Sequence, residues 1–345
     1  MGKNTKGACA LGCLGCMGVL ILAFTLLFSL IGSCVSAANR QITSSDGPAD
    51  EAPEFKEVWS LGGGDEDAPK IIRIRLAGMI ASESRRGSLL GRVSAGDAPG
   101  ALNRIHSAAA DPDVAGILLE IDSPGGEVTM SDILFDALMR FRESETNRFV
   151  YALIGDMAAS GGYYVAAAAN RIMAHPTSWT GSIGVIVPHY NVAELAAKAG
   201  VASAPITSGP NKAMLDPLRP DDPAHIVIVK VAVDAAYERF LSVVAEGRGM
   251  KVEDIRPYAD GRILTAQQAL DAKLIDAIGY QEDALDEIRK LAGAEDVRIY
   301  RYVEKESFGD LLRDSFIFES ADGLADEVKA RLDRAATPRA EYLFR

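Results

Sequence analysis

The chain has 345 residues, 48% of them hydrophobic, and a formal net charge of −12 at pH 7. That length and apolar content suffice for one large or two ordinary domains with a real core. Acidic residues are spread along the chain and no basic cluster occurs in the globular part, so nucleic acid is not an expected partner.

Residues 8 to 38 contain no charged side chain, and their centre, MGVLILAFTLLFSLIG (Met17 to Gly32), is strongly apolar. A bilayer takes about 20 such residues, so residues 11–36 are expected to form a transmembrane anchor. Lys3 and Lys6 precede it, which by the positive-inside rule leaves residues 1–10 in the cytoplasm and exports the remainder. A cleaved signal peptide is the competing reading, because VSA and SAA resemble small-residue cleavage sites; IGSC (Ile31 to Cys34) also resembles a lipidation box. The apolar run exceeds the usual signal core of about 7–15 residues, which favours a retained anchor. All four cysteines, Cys9, Cys13, Cys16 and Cys34, lie in or beside this segment. The exported part can therefore form no internal disulfide and offers neither a thiol nucleophile nor a cysteine zinc site.

Residues 39–69 are expected to be a flexible acidic linker, since Gln41 to Pro69 holds eight acidic residues against one basic, Lys56, among Pro, Gly and Ser. From Lys70 the pattern becomes alternating α/β. KIIRIRLAGMI alternates apolar and Arg residues and predicts a first strand with one exposed face. Asp97 to Ala110 reads as a helix, Val114 to Ile121 as a short buried strand running into DSPGGEV, and TMSDILFDALMRFRES as a helix. Strand, Gly-rich turn and helix make a βαβ unit whose loop lies at the carboxyl end of a parallel strand, where α/β proteins usually bind ligands.

The next unit is FVYALI (Phe149 to Ile154), a turn around Ser160, and the helix-compatible YYVAAAA (Tyr163 to Ala169). Two short strands around TGSIG lie within Arg171 to Tyr190, and a helix follows near Val192 to Ala199. A long Gly/Pro/Asp loop then carries Lys212. A helix from about Ala224 to Gly247 has Val229, Val233, Ala236, Phe240 and Val244 at helical spacing, which predicts one buried face. Gly261 to Gly279 reads as turn, helix, turn, and the helix from Gln281 to Ala292 closes a compact domain spanning 70–292. Residues 293–345 form a weakly specified C-terminal extension.

Ser160 stands between Ala158, Ala159 and Gly161, Gly162 at a strand-to-helix turn. Small neighbours let backbone approach closely, and a helix N-terminus leaves N–H groups unsatisfied, which suits a nucleophile with an oxyanion site. The stretch also fits a plain N-cap serine. A free hydroxyl needs a base. His106, His175, His189 and His225 are the histidines available; a triad with His175 or His189 stays open, although each has an ordinary structural role open to it. Lys212 is the other candidate, against the alternative of a solvated loop charge. To act as a base its ammonium must be desolvated, so that a pKa of about 10.4 falls towards about 7–8. Ser182 in TGSIG could hold the amine. Gly125 and Gly126 in SPGG, with Gly161, could offer the N–H pair of an oxyanion hole.

LLEIDSPGGEV, DMAASGGYYVAAAANRIMA, TGSIGVI, SGPNKAMLDPLRP and GRILTAQQALDAKLIDAIG, in this order and spacing, resemble the signal peptide peptidase A family of serine peptidases, peptidase family S49. The resemblance runs from about Lys70 to Leu291. It implies a ClpP/crotonase-like fold of stacked βαβ units and a Ser/Lys dyad with no metal or cofactor. Ser160 matches the nucleophile, Lys212 the general base, Ser182 the residue orienting the lysine, and Gly125 or Gly126 with Gly161 the oxyanion donors. One copy of the α/β unit is present, as in short forms that assemble into a homo-oligomeric ring with each site completed by a neighbour; in similar proteins the C-terminus can enter the active site. The implied activity is cleavage of signal peptides and other apolar peptides by a single-pass enzyme on the outer face of the cell membrane. Two rivals remain, an acyl-CoA enzyme of the same fold, separable by CoA binding, and an inactive membrane scaffold, separable by fluorophosphonate labelling.

Overall fold

The computed structural model describes residues 55–62, 67–82, 96–304 and 341–343. The expected cytoplasmic N-terminus, the anchor at 11–36 and most of the C-terminal extension lie outside the described residues. Among those described, no helix is long and apolar enough to cross a membrane.

Strand β1 (Phe55–Gly62) is followed by β2 (Lys70–Ala77). In β2 the period of two is direct: Ile72, Ile74 and Leu76 enter the larger core cluster, while Ile71 enters a smaller cluster on the opposite face. Helix α1 (Ala98–Ala110) leads to β3 (Val114–Ser123), then β4 (Gly125–Glu127) and helix α2 (Val128–Ser144). Strand β5 (Phe149–Ala159) runs five residues past the apolar stretch that announced it, and helix α3 (Gly161–Ala166) starts directly after Ser160. Next come β6 (Arg171–Ala174), β7 (Trp179–Gly181), helix α4 (Ala193–Lys198) and the long helix α5 (Pro223–Arg248). The short helix α6 (Val252–Ile255), β8 (Ile263–Thr265), α7 (Ala266–Asp271), β9 (Ala277–Ile278), α8 (Gln281–Ala292), β10 (Arg298–Glu304) and β11 (Glu341–Leu343) complete the order.

The fold is mixed α/β around one central sheet of order β1-β10-β2-β3-β5-β6-β9, parallel from β10 through β9. Strand β5 changes neighbour along its length: Tyr151–Ile154 pair with β6, and Met157–Ala159 pair with β7. Beyond the fork, Ser160 meets the end of β7, its N–H donating to the Gly181 carbonyl. A separate two-stranded sheet joins β11 to β4.

Three expectations are corrected. Phe55–Gly62 is not spacer: β1 pairs antiparallel with β10, Phe55 stacks on Tyr302 and Trp59 meets Tyr300 edge-on. Aromatic cross-strand pairs outweigh the acidic average of the surrounding stretch. The compact part accordingly runs past Ala292, because β10 inserts between β1 and β2. Helix α5 buries Phe240, Leu241, Val243 and Val244 near its C-terminal end, while Ile226, Val227, Ile228 and Val231 stay exposed. Helical spacing shows an apolar face but not what covers it.

Helix α3 is buried throughout, from Gly161 to Ala166. The Tyr163 hydroxyl donates to the Leu274 carbonyl at 2.7 Å, and burial pushes its pKa up. Helix α5 reaches this layer at Gly247, where an added Cβ would stand 1.9 Å from the Ala167 carbonyl oxygen. Gly247→Ala is therefore expected to destabilise by on the order of 1–3 kcal/mol through overpacking, whereas helix propensity alone would stabilise by about 1 kcal/mol. Urea unfolding of the two proteins reads the sign.

Candidate active site

Ser160 has φ 53° and ψ −117°, a left-handed conformation rare for a residue with a side chain. Its N–H donates to the Gly181 carbonyl and its carbonyl accepts from the Tyr164 N–H, both at 2.9 Å. The side chain is 1% exposed, and Oγ is buried with no hydrogen-bond partner. Buried hydroxyls are normally satisfied, which sets this one apart from the other buried serines and makes it the candidate reactive group. An N-cap serine would accept from the first turn of its helix, and Ser160 makes no such bond.

Gly161 opens α3, and its N–H has no intrahelical acceptor. A Cβ here would meet Ser131 Oγ at 2.5 Å and Gly126 N at 3.2 Å, so only glycine lets the helix start lie against β4. In β4 the Gly125 N–H donates to Ser123 Oγ at 3.1 Å, and the Gly125 carbonyl accepts from the Ile80 N–H at 2.9 Å. The Glu127 N–H donates to the Ile80 carbonyl at 2.8 Å. With its neighbours committed to Ile80, Gly126 presents its own N–H to the opposite edge, where β11 pairs Tyr342 with Gly126.

The register Ala159↔Gly181 puts Ser182 beside Ser160. Ser182 is also left-handed, with φ 50°, is 5% exposed, and donates its N–H to the Arg262 carbonyl at 2.7 Å. It borders a cleft of about 640 Å³ lined by Val185 and Ile186 and by Lys230, Val233 and Tyr237 of α5. The Lys230 ammonium is paired with Asp234.

Lys212 lies in the turn Pro210–Leu215, exposed, with its ammonium bonded to no described residue and its N–H donating to the Gly209 carbonyl at 3.2 Å. The chain therefore gathers Ser160, Gly126, Gly161 and Ser182 but does not bond Lys212 to Ser160. No imidazole bonds Ser160 either: His175 bonds Thr177 and meets the Tyr280 ring edge-on, and His189 bonds Asp221 at 2.8 Å. His106 is exposed and His225 half-buried. Among the described residues, no group of three or more His, Cys, Asp or Glu could hold a metal ion.

Two residues of the site went unread in the sequence. Ser123 stood in plain view in DSPGG, but a serine before Pro-Gly-Gly signals a turn, not a clamp on Gly125. Ser131, whose hydroxyl donates to the Glu127 carbonyl at 2.9 Å beneath Gly161, looked like any helix serine.

The profile described as Peptidase family S49 matches residues 142–295, which include Ser160, Ser182 and Lys212. A putative signal peptide peptidase SppA of Enterococcus faecium is 34% identical over 233 residues, covering 68% of this chain and 67% of that protein. A putative protease of Synechocystis sp. is 38% identical, covering 65% of this chain and 75% of that protein. A chloroplastic serine protease SPPA of Arabidopsis thaliana is 34% identical, covering 64% of this chain and 32% of that protein.

Proposed function

The chain belongs to peptidase family S49 and is a protease of the signal peptide peptidase A type, and from that premise we propose that it is a membrane-anchored serine endopeptidase with Ser160 as nucleophile and Lys212 as general base. The observation that carries this reading is the buried, unpartnered Ser160 hydroxyl, strained to φ 53° beside the amides of Gly126 and Gly161. Strain kept at a functional position, at about 1–3 kcal/mol, is the pattern of a serine held on a sharp strand-to-helix turn. Sheet and crossover helices support the ClpP/crotonase-like architecture.

In the reaction the Lys212 amine accepts the Ser160 proton as Oγ bonds to the scissile carbonyl carbon. The Gly126 and Gly161 N–H groups hold the oxyanion, and the ammonium so formed protonates the leaving nitrogen as the scissile C–N bond breaks and the acyl-enzyme forms. Water, activated by the same amine, releases the acyl group. Val185, Ile186 and Val233 suit apolar peptides such as signal peptides left after export, and the apolar segment 11–36 would hold the cleft near the outer membrane face.

Lys212 is supplied by a second copy of the chain in a homo-oligomeric ring. Its exposure supports this, as do Leu195, Ile206, Val227 and Val231 at 67%, 104%, 65% and 66% exposure in the same part of the chain. Bound peptide adds as a strand to β4 along the edge that β11 occupies in this structure. The C-terminal strand therefore competes with substrate.

Ser160→Ala and Lys212→Met should each reduce cleavage of an apolar peptide at least about 1,000-fold while circular dichroism stays unchanged. Full activity in either would sink the dyad. Mixing the two inactive variants before assembly should restore about a quarter of the wild-type rate, because half the sites keep the serine and half of those keep the lysine; no recovery would place both groups in one protomer. Deleting residues 341–345 should lower KM for an added peptide, measured by steady-state kinetics, and an unchanged KM would show that β11 is no competitor.

A further inference from the structure

The turn that presents the Gly126 amide is held by a side chain with no part in the bond changes. Ser123 is fully buried at the end of β3, in register with Ala158, two residues before Ser160. Its hydroxyl donates to the Gly78 carbonyl at 2.6 Å and accepts from the Gly125 N–H at 3.1 Å. The Gly78 N–H donates in turn to the Asp122 carbonyl at 2.9 Å, so one hydroxyl ties the end of β2 to the end of β3 and to the glycine turn.

Gly125 has φ 101°, a region that glycine enters freely and leaves freely. The peptide plane between Gly125 and Gly126 carries the Gly125 carbonyl on one side and the Gly126 N–H on the other. While the Ile80 N–H holds that carbonyl, the Gly126 N–H points away from Ile80, to the edge that β11 pairs, and its nitrogen lies close against Gly161, the residue after Ser160. The preceding plane is held by the Ser123 hydroxyl alone among the described side chains. Removing the hydroxyl leaves the Gly125 N–H buried without an acceptor, a state relieved by rotating the turn. Rotation swings the Gly126 N–H off the site.

We propose that Ser123 is a positioning residue that selects Gly126 over Gly125 as the oxyanion donor and locks it in place, an inference that rests on reading Ser160 as the nucleophile. Its effect falls on the transition state, where negative charge develops on the carbonyl oxygen, and not on ground-state binding along β4.

The test uses the full chain, with active sites counted by fluorophosphonate labelling at completion so that misfolded protein is excluded. The probes are an apolar peptide substrate, the matching peptide aldehyde, and the matching alcohol. The aldehyde carbon bonds to Ser160 Oγ as its C=O π bond breaks and the Oγ proton passes through Lys212 to the former carbonyl oxygen, placing a hemiacetal oxygen in the oxyanion site; the alcohol binds without forming that bond. Ser123→Ala should lower kcat per labelled site about tenfold to a hundredfold, less than the loss of a whole donor, with KM within about twofold. The aldehyde Ki should rise by the same factor as kcat falls, and the alcohol Ki should stay put. Ser123→Cys, with the same shape and a weaker donor, should fall between. A kcat per site within about twofold of wild type, or aldehyde and alcohol weakening together, overturns the proposal; if Ser123→Ala does not fold, Ser123→Cys with wild-type kcat and aldehyde Ki does so. Activity in Ser160→Ala would instead remove the premise.

Discussion

A serine carrying a Cβ, held at φ 53°, is the constraint on which the site depends. The conformation costs an L-residue roughly 1–3 kcal/mol and persists only where its surroundings over-determine it. Here they do: the N–H is tied to Gly181, the carbonyl to Tyr164, and the helix that follows is buried on every side. The same turn that strains the backbone takes Oγ away from the first-turn amides of α3, so the hydroxyl is left without a bond. Strain and chemical readiness are one geometric fact.

The forked strand makes this possible. Up to Ile154, β5 belongs to the sheet core with β3 and β6; beyond it, Met157–Ala159 pair with β7, and both partners end in a left-handed serine. Gly161 then lets the start of α3 come within contact of β4. A polar network steadies the layer above: the Tyr164 hydroxyl donates to Asp132 of α2, which also receives Arg239 of α5 at 3.0 Å. The helix after Ser160, the crossover helix and the long helix are thereby joined on one carboxylate.

Beyond that carboxylate, α5 leaves its own fold. Its C-terminal end is core, against Ala167, and its N-terminal end carries uncovered valine and isoleucine next to the loop bearing Lys212. The proposed association would act on both at once, burying the exposed apolar stretch and delivering the lysine beside it. The same helix is thus core at one end, behind the helix that follows Ser160, and bare at the other.

Much of this was legible in the residues. Period-two and period-3.6 patterns placed β2, β3, β5, α1, α2, α5 and α8 within a few residues, because such elements are specified by local spacing. Small residues around Ser160 and the paired glycines of SPGG marked the turns by backbone permissiveness alone. The sequence could not say which glycine amide faces away from Ile80, because that is set by the segment after β2, where Ile80 bonds to Gly125 and Glu127, together with the Ser123 hydroxyl. It could not find β1 in an acidic stretch, because Phe55 and Trp59 are strand residues only opposite Tyr302 and Tyr300 near the other end of the chain. Nor could it tell the covered half of α5 from the bare half. Elements and turn chemistry are local properties and were set by the chain itself; the direction of each N–H, and what covers each apolar face, are relations between distant residues that only tertiary pairing decides.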